Sequence, residues 1–143
     1  HVACKEGKLV DWQRLKAKID HGADFVLTQL FFDNDDYFAF RDYLVGELGV
    51  EVPLTPGVLP ILSTPQITRF AAICGATLPA SLRSRLEALG DDQAAVADFG
   101  VEFASRQCEA LLAGGAPGVH LYSLNKAEAA TAIFTHLGLA GQA

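Results

Sequence analysis

The chain has 143 residues, of which 50% are hydrophobic and 20% are charged, which is the composition of a globular domain. Its net charge of −6 argues against a nucleic-acid-binding surface, because phosphate binding needs clustered Lys and Arg in excess. No apolar run approaches the roughly 20 residues that cross a bilayer, and no secretory signal is recognisable. The three cysteines are widely spaced and form neither a disulfide framework nor a metal-ligand cluster. We therefore expect a cytoplasmic protein without a metal site that binds neither nucleic acid nor membranes.

The first predicted elements are a helix, a strand and a second helix. Apolar residues recur at helical spacing over residues 11–20, and Gly22 follows them as a stop signal. Residues 25–32 form a nearly continuous apolar run, typical of a strand that is covered on both faces in a parallel sheet. Residues 33–36 then offer N-caps for a helix. Its buried stripe would consist of Tyr37, Phe40, Tyr43 and Leu44.

The same alternation continues to the end of the chain. Residues 52–60 form a second extended run, broken by Pro56-Gly57, and residues 63–74 form a helix with a proline near its first position. Two further helices are predicted over residues 79–89 and 92–112, followed by a third strand over 118–124 and a helix over 126–137. Such βα alternation predicts a parallel sheet with right-handed crossovers.

Three strands are too few for a free-standing sheet of this type, and a barrel of eight βα units needs about 250 residues. The sequence has no methionine and begins with His1, so we expect it to be part of a longer chain. The predicted fold is α/β, a partial (β/α)8 TIM barrel made of the last three strands with their helices. Residues 1–143 would be the C-terminal portion of a single barrel domain whose first strands are missing.

Ligands of parallel α/β proteins bind at the carboxyl ends of the strands, and the first predicted strand ends in a glutamine. The carboxamide of Gln29 needs a partner for both its donor and its acceptor if it is buried. Gln29 would either bind the donor–acceptor edge of a heterocycle or bond to neighbouring backbone. The residues leave both interpretations open.

The helix after the second strand places Gln66 and Phe70 four residues apart and therefore on one face, as a platform for a planar ligand. Alternatively, residues 63–66 form a capping box and Phe70 belongs to the core. After the third strand, Lys126 would pair with a carboxylate or phosphate, or be a solvated lysine. Asn125 is a candidate N-cap of the last helix.

Several motifs occur in the order typical of one enzyme family. They are KIDHGAD at 18–24, TQLFFD at 28–33, PGVLP at 56–60, Gln66 with Phe70, and YSLNKAE at 122–128. In this combination, over essentially all 143 residues, the sequence resembles methylenetetrahydrofolate reductases. The resemblance implies a flavin-dependent barrel that binds FAD and uses NADH or NADPH to reduce methylenetetrahydrofolate to 5-methyltetrahydrofolate, in the one-carbon metabolism that feeds methionine synthesis.

On the substrate side, the resemblance implies a role for each polar residue at the strand ends. Gln29 would hydrogen-bond the pterin of the folate and, in the other half-reaction, help to place the nicotinamide cofactor. Phe70 would stack against the substrate, and Gln66 would contact the folate. Lys126 stands where the family often has Arg, so it would keep the charge for the folate tail without the bidentate fork of a guanidinium.

On the cofactor side, the resemblance implies that His1 and the backbone near Ala3 contact the FAD. Asp11 and Lys18 match family positions beside its adenosine diphosphate portion, and Arg14 falls at another such position but differs in residue type. From the residues alone, Asp11 is equally a candidate helix cap and Lys18 a solvated charge.

The family's general acid, a glutamate on the first barrel strand, has no counterpart in this sequence, and neither has an aspartate of the fourth strand that lies near the flavin. No catalytic residue is therefore assigned, and we expect the isolated chain to be inactive and the full-length protein to be a homo-oligomer. The alternative is a non-catalytic half-barrel module that assembles with itself or with a partner chain through its open sheet edges.

Overall fold

The computed structural model describes residues 7–139, in which six α-helices surround a three-stranded sheet. The strands lie in the order β1–β2–β3 and both pairs are parallel, which confirms the predicted α/β fold. A π-helical turn, Tyr43–Glu47, continues the second helix. The elements in chain order are α1 Lys8–Asp20, β1 Val26–Leu30, α2 Asn34–Asp42, β2 Leu54–Val58, α3 Thr64–Cys74, α4 Ala80–Leu89, α5 Gln93–Ala113, β3 His120–Leu121 and α6 Ala127–His136.

Side-chain caps fix where several helices begin. The carboxylate of Asp33 accepts a hydrogen bond from the Asp35 amide at 3.1 Å and starts α2. The carboxylate of Asp92 starts α5 in the same way, with the Ala95 amide at 3.0 Å. Such caps satisfy amides that have no partner within the helix, so these boundaries could be read from the sequence.

The first hydrophobic cluster joins α1, α2, α5 and α6 to β2. Trp12 anchors α1, since its ring lies 5.5 Å from that of Phe40 and 5.4 Å from that of Tyr43. The buried members of this cluster are Trp12, Ile19, Phe31, Tyr37, Phe40, Leu44, Val50, Leu54, Val58, Ala104, Cys108, Leu111, Ala116 and Ile133.

The second hydrophobic cluster lies around the carboxyl ends of β1 and β2, where α3, α4 and the first half of α5 meet. Its buried members are Leu30, Phe32, Leu59, Ile61, Ile67, Ala71, Leu82, Leu86 and Val96. Gly100 allows α5 to approach this region, because a Cβ there would overlap the Ile61 carbonyl. Burial at this edge therefore holds together the segments that follow the first two strands.

The longest helix, α5, also binds the exit of β1. The side-chain amide of Gln107 donates to the backbone carbonyl of Phe31 at 3.1 Å, and the side-chain amide of Asn34 donates to the backbone carbonyl of Gln107 at 3.2 Å. These bonds satisfy polar backbone that the close packing removes from water.

Among the helices within residues 7–139, none combines the length and the apolar character needed to cross a bilayer.

The first strand differs from its prediction. Strand β1 is shorter than the apolar run, and the expectation that both of its faces are covered is wrong for the described residues. Phe25 is 58% exposed and Leu27 is 46% exposed, and Gln29 is exposed as well. Burial alternates along the strand, with Leu27 and Gln29 exposed and Thr28 and Leu30 buried, so one face of β1 packs on the core and residues 7–139 leave the other face largely open.

The other two strands also differ in extent. Strand β2 runs through Pro56 without the predicted break. Its pairing with β3 starts at Gly57, opposite His120, so the amide hydrogen that Pro56 lacks falls just before this ladder. Strand β3 has two residues rather than the predicted seven, although the Tyr122 amide still donates to the Val58 carbonyl at 2.9 Å.

Candidate functional site

A cavity of about 470 Å³ lies between α1 and β1. It contains four residues that the sequence singled out, namely Asp11, Arg14, Lys18 and Gln29. Its complete lining is Asp11, Trp12, Arg14, Leu15, Lys18, Val26, Leu27, Thr28, Gln29 and Phe40. A lining that combines apolar side chains with a few polar groups is usual for a ligand pocket.

Helical periodicity places the charged residues of α1 on this cavity. Asp11, Arg14 and Lys18 follow one another at three- and four-residue spacing and therefore share a helix face. The guanidinium of Arg14 lies 3.9 Å from the Asp11 carboxylate, with 75% and 43% of the two side chains exposed. A long, exposed ion pair of this kind is weak, so it offers little resistance to a ligand that binds either charge.

Asp11 is not the cap of its helix. Helix α1 starts at Lys8 after Gly7, and Asp11 lies within its first turn, where its own amide donates to the Gly7 carbonyl at 3.0 Å. The carboxylate there interacts favourably with the helix dipole without being the cap that the sequence suggested as an alternative. Lys18 lies exposed in the last turn, as expected for a solvated or ligand-binding cation.

Gln29 lies at a bulge in β1. From Leu27 to Leu30 this strand advances three residues while β2 advances two, from Thr55 to Gly57, so β1 contains one extra residue. The Oε1 atom of Gln29 accepts a hydrogen bond from the Leu30 amide at 3.0 Å. This is the neighbouring-backbone bond that the sequence left open, but it uses only part of the capacity of the carboxamide, which has two donors and a second lone pair.

Three strand ends meet beside Gln29. The Gly57 amide donates to Thr28 Oγ1 at 2.9 Å, and the same hydroxyl donates to the Gln29 carbonyl at 3.0 Å. The hydroxyl of Tyr122, just beyond β3, donates to the Thr28 carbonyl at 2.9 Å. Burial raises the pKa of the Tyr122 phenol, and nearby Cys74 acts in the same direction, so the phenol remains a neutral donor. A continuous set of hydrogen bonds thus joins all three strands.

Sequence reasoning missed Thr28 and Tyr122 as functional candidates. Thr28 is only 5% exposed and its hydroxyl is bonded twice. The available signal was a hydroxyl inside an apolar strand, together with a tyrosine at the end of another strand, because buried hydroxyls of both types require partners.

Helix α3 carries two further predicted residues. The backbone amide of Gln66 donates to Ser63 Oγ at 3.3 Å, so Ser63 caps this helix as one half of the predicted capping box requires. Phe70 is half-buried and packs against the second cluster, as the core interpretation expects. Both side chains remain partly exposed and lie one helical turn apart.

Lys126 follows an unusual turn. Leu124 and Asn125 have positive φ angles of 47° and 63°, and the Lys126 amide donates to the Ser123 carbonyl at 2.8 Å. The prediction that Asn125 caps the last helix is therefore wrong, because the left-handed backbone that asparagine tolerates turns the chain one residue earlier than a cap would. Lys126 itself occupies the N-cap position of α6 and is exposed.

The predicted residues fall into two groups within residues 7–139. Gln29 and the three residues of α1 line one cavity, whereas Gln66, Phe70 and Lys126 do not line it. All of the predicted substrate residues nevertheless lie at or after the carboxyl ends of parallel strands, and Leu30, Phe70 and Tyr122 contact the same second cluster. His1 and Ala3 lie outside the described residues.

A larger cavity, of about 860 Å³, lies where α3, α4 and α5 meet. It opens beside Arg69, Glu87 and Asp91, and none of the predicted site residues lines it. The smaller cavity is the better candidate because it lies against the sheet and collects polar groups from both a helix and a strand.

Comparison with known proteins gives a consistent result. A family model described as methylenetetrahydrofolate reductase matches residues 2–138. Methylenetetrahydrofolate reductase (NADH) 1 of Arabidopsis thaliana is 37% identical over 138 residues, which cover 96% of this chain and 23% of that protein. A probable methylenetetrahydrofolate reductase (NADPH) of Caenorhabditis elegans is 38% identical over 131 residues, which cover 90% of this chain and 20% of that protein. The 5,10-methylenetetrahydrofolate reductase of Escherichia coli K12 is 35% identical over 129 residues, which cover 90% of this chain and 43% of that protein.

The chain thus spans less than a quarter of the plant and nematode relatives and less than half of the bacterial one. The match nevertheless extends over almost all of the present sequence, and relatives from distant organisms share more than a third of the aligned residues. This chain belongs to the methylenetetrahydrofolate reductase family.

Proposed function

We propose that these residues form part of the active site of an enzyme that reduces 5,10-methylenetetrahydrofolate to 5-methyltetrahydrofolate with NADH or NADPH, using bound FAD. The observation that carries the proposal is the cavity shared by Gln29 and the charged row of α1. Family membership supports the reaction, and this cavity supports the location of the site.

The charged row of α1 suits the adenosine diphosphate portion of FAD. Arg14 and Lys18 are exposed cations on one helix face, which can donate to diphosphate oxygens. Asp11, one turn before them, offers a carboxylate that accepts hydrogen bonds from sugar hydroxyls. When bound, FAD supplies the hydride relay between the nicotinamide cofactor and the folate, and these residues contribute binding and orientation.

The pterin-binding role falls to Gln29. Its bond to the Leu30 amide fixes the position of the carboxamide oxygen, while the remaining lone pair and the two N–H donors suit the alternating donors and acceptors of a pterin edge. If NAD(P)H and folate occupy the same site in turn, the same side chain would also help to place the nicotinamide.

The remaining substrate contacts would come from α3 and the start of α6. The half-buried ring of Phe70 is held by the second cluster and would stack on the substrate, with Gln66 contacting the folate one turn earlier. The exposed ammonium of Lys126 would pair with a carboxylate of the folate tail.

The sheet edges support a larger barrel domain of which residues 1–143 would form the C-terminal portion. Strands β1 and β3 are the outer strands of the described sheet, and Phe25 and Leu27 expose apolar surface beside β1. Neighbouring barrel strands would pair with both edges and cover Phe25, which does not line the candidate cavity. We further propose that the full-length enzyme is cytoplasmic and homo-oligomeric.

The proposal is tested on the purified protein from the complete reading frame that contains these residues. We expect a flavin absorption spectrum and oxidation of NADH or NADPH that depends on methylenetetrahydrofolate. The variant Gln29→Ala should lower kcat/KM for the folate by roughly 10- to 100-fold, as expected for loss of a ligand hydrogen bond in a desolvated site. The matched control is Gln93→Ala, which changes an exposed glutamine of the larger cavity and should leave kcat/KM within about twofold.

Two outcomes would contradict the proposal. One is a protein without flavin and without folate-dependent turnover, and such a protein that also self-associates through its sheet edges would favour the non-catalytic module. The other is an active enzyme in which Gln29→Ala and Gln93→Ala have equal effects.

A further inference from the structure

The bulge that carries Gln29 is stabilised from the far side of the sheet. A regular parallel ladder pairs the strands residue by residue, whereas β1 contains one extra residue between Leu27 and Leu30. Bulges bend a strand and redirect the side chains beside them, and they interrupt the ladder that would otherwise hold the strand. Some other group must therefore keep the local backbone in place.

Two hydroxyl groups supply this support. Thr28 Oγ1 accepts from the amide of Gly57 on β2, and the Thr28 carbonyl accepts from the hydroxyl of Tyr122 at 2.9 Å. Tyr122 is 94 residues away in the sequence and follows β3, so its side chain crosses β2 to reach β1. Long-range contact thus fixes the backbone immediately before Gln29.

Gly57 makes this crossing possible. An added Cβ at this position would lie 2.7 Å from Cε2 of Tyr122 and 2.5 Å from the Thr28 carbonyl oxygen. Any larger residue would meet both partners of the hydrogen bond. The ring of Tyr122 also contacts that of His120 edge-on, with 4.8 Å between the centroids. The Gly57 backbone and the imidazole therefore both restrict the position of the phenol.

We propose that Tyr122 is a positioning residue for Gln29, which it orients by holding the Thr28 carbonyl and hence the bulge of β1. The inference rests on the proposed role of Gln29 in substrate binding. The physical link is short, because Thr28 precedes Gln29 directly and donates to its carbonyl at 3.0 Å. Without the phenol hydroxyl, the buried Thr28 carbonyl loses an acceptor bond, and the bulge gains freedom to change register.

The first test measures the bulge itself and does not depend on activity. Tyr122→Phe removes only the hydroxyl. In the full-length protein, we expect amide hydrogen exchange in the peptide spanning β1 to become roughly tenfold faster, which corresponds to about 1.4 kcal/mol of local stability. The matched control is Tyr37→Phe, which removes a buried hydroxyl bonded to the Leu54 carbonyl at 2.8 Å. The control should leave exchange at residues 28–30 unchanged.

The second test asks whether Tyr122 acts through Gln29. Tyr122→Phe should lower kcat/KM for the folate by roughly 5- to 20-fold, within the range for one lost hydrogen bond in a network. The same change made in a Gln29→Ala background should have almost no further effect, because the side chain that it positions is then absent. Tyr37→Phe, by contrast, should combine additively with Gln29→Ala.

The outcomes separate this inference from the proposed function. Unchanged exchange across β1 in Tyr122→Phe overturns the inference, and so does additivity of Tyr122→Phe with Gln29→Ala. If the wild-type protein does not reduce methylenetetrahydrofolate, the proposed function fails, while faster exchange confined to the bulge would still support the structural role of Tyr122.

Discussion

Replacing Gly57 by alanine should destabilise the protein far more than an ordinary Gly-to-Ala change. The new methyl would lie 2.5 Å from the Thr28 carbonyl oxygen and 2.7 Å from Tyr122 Cε2, where contacts of 3.4–4 Å are ordinary. The Thr28 carbonyl and the Tyr122 ring are joined by a hydrogen bond, so either can move away from the new methyl only by weakening that bond. Overpacking of this kind costs about 1–3 kcal/mol. The lost hydrogen bond adds about 1 kcal/mol, so we expect the free energy of unfolding to fall by roughly 2–4 kcal/mol.

The assay is urea unfolding of the full-length protein, with Gly46→Ala as the matched control. Gly46 is exposed in the π-helical turn, and nothing lies within 4 Å of a Cβ at that position. Alanine there should be neutral or stabilise by up to about 1 kcal/mol. In a Tyr122→Ala background, Gly57→Ala should cost less, because one of its two clashes is gone. A free energy of unfolding for Gly57→Ala within about 0.5 kcal/mol of that for Gly46→Ala would refute the reasoning.

Three further predictions concern the cofactor, a buried thiol and the chain itself. Lys18→Ala should weaken FAD retention by roughly fivefold, about 1 kcal/mol for an exposed ionic contact. Lys16→Ala changes a lysine of the same helix that is ion-paired with Asp20, and it should leave FAD retention unchanged. Equal losses of FAD from the two variants in a flavin-release titration would contradict the assignment of Lys18. Burial, and to a smaller extent the negative charge of Glu109, raise the pKa of the Cys108 thiol from 9.0 to about 11. As the pH rises, the unfolded chain therefore releases the thiol proton before the folded chain does. The free energy of unfolding should decrease as the pH rises from about 9 to about 11, and a Cys108→Ala variant should show less of this decrease. Finally, the purified 143-residue chain should show no flavin-dependent reduction of methylenetetrahydrofolate, and measurable turnover would refute this.

The order of helices and strands could be predicted because each element carries its own local signal. The spacing of Trp12 and Ile19 indicates a helix that buries one face, and both residues are buried in α1. Asp33 and Ser63 precede helices as capping residues and accept the expected amide hydrogen bonds. These features depend on a few neighbouring residues, so one sequence is enough to recognise them.

The details of the strands could not be predicted, because they depend on contacts between distant residues. The bulge at Gln29 is held by Tyr122, and no local pattern links two residues that lie so far apart in the chain. Strand β3 ends at Leu121, before the end of its apolar run, and Leu124 then adopts a left-handed conformation, which a leucine rarely does. Backbone strain of this kind often accompanies functional sites, and here it lies just before Lys126.

The two sides of the proposed site therefore depend on different interactions. Successive helix residues turn by about 100°, so the row containing Asp11 and Lys18 lies roughly 100° around α1 from the row containing Trp12 and Ile19. Burial of that apolar row fixes the direction of the charged row, so a change outside the charged row that keeps α1 docked should keep the proposed cofactor contacts. Gln29 is bonded locally to the Leu30 amide, but the direction of its backbone depends on a bulge that is supported by the hydroxyl of Tyr122, just beyond β3. Conservative changes at the ends of strands should therefore affect folate binding while FAD remains bound, whereas changes in the packing of α1 should affect FAD first.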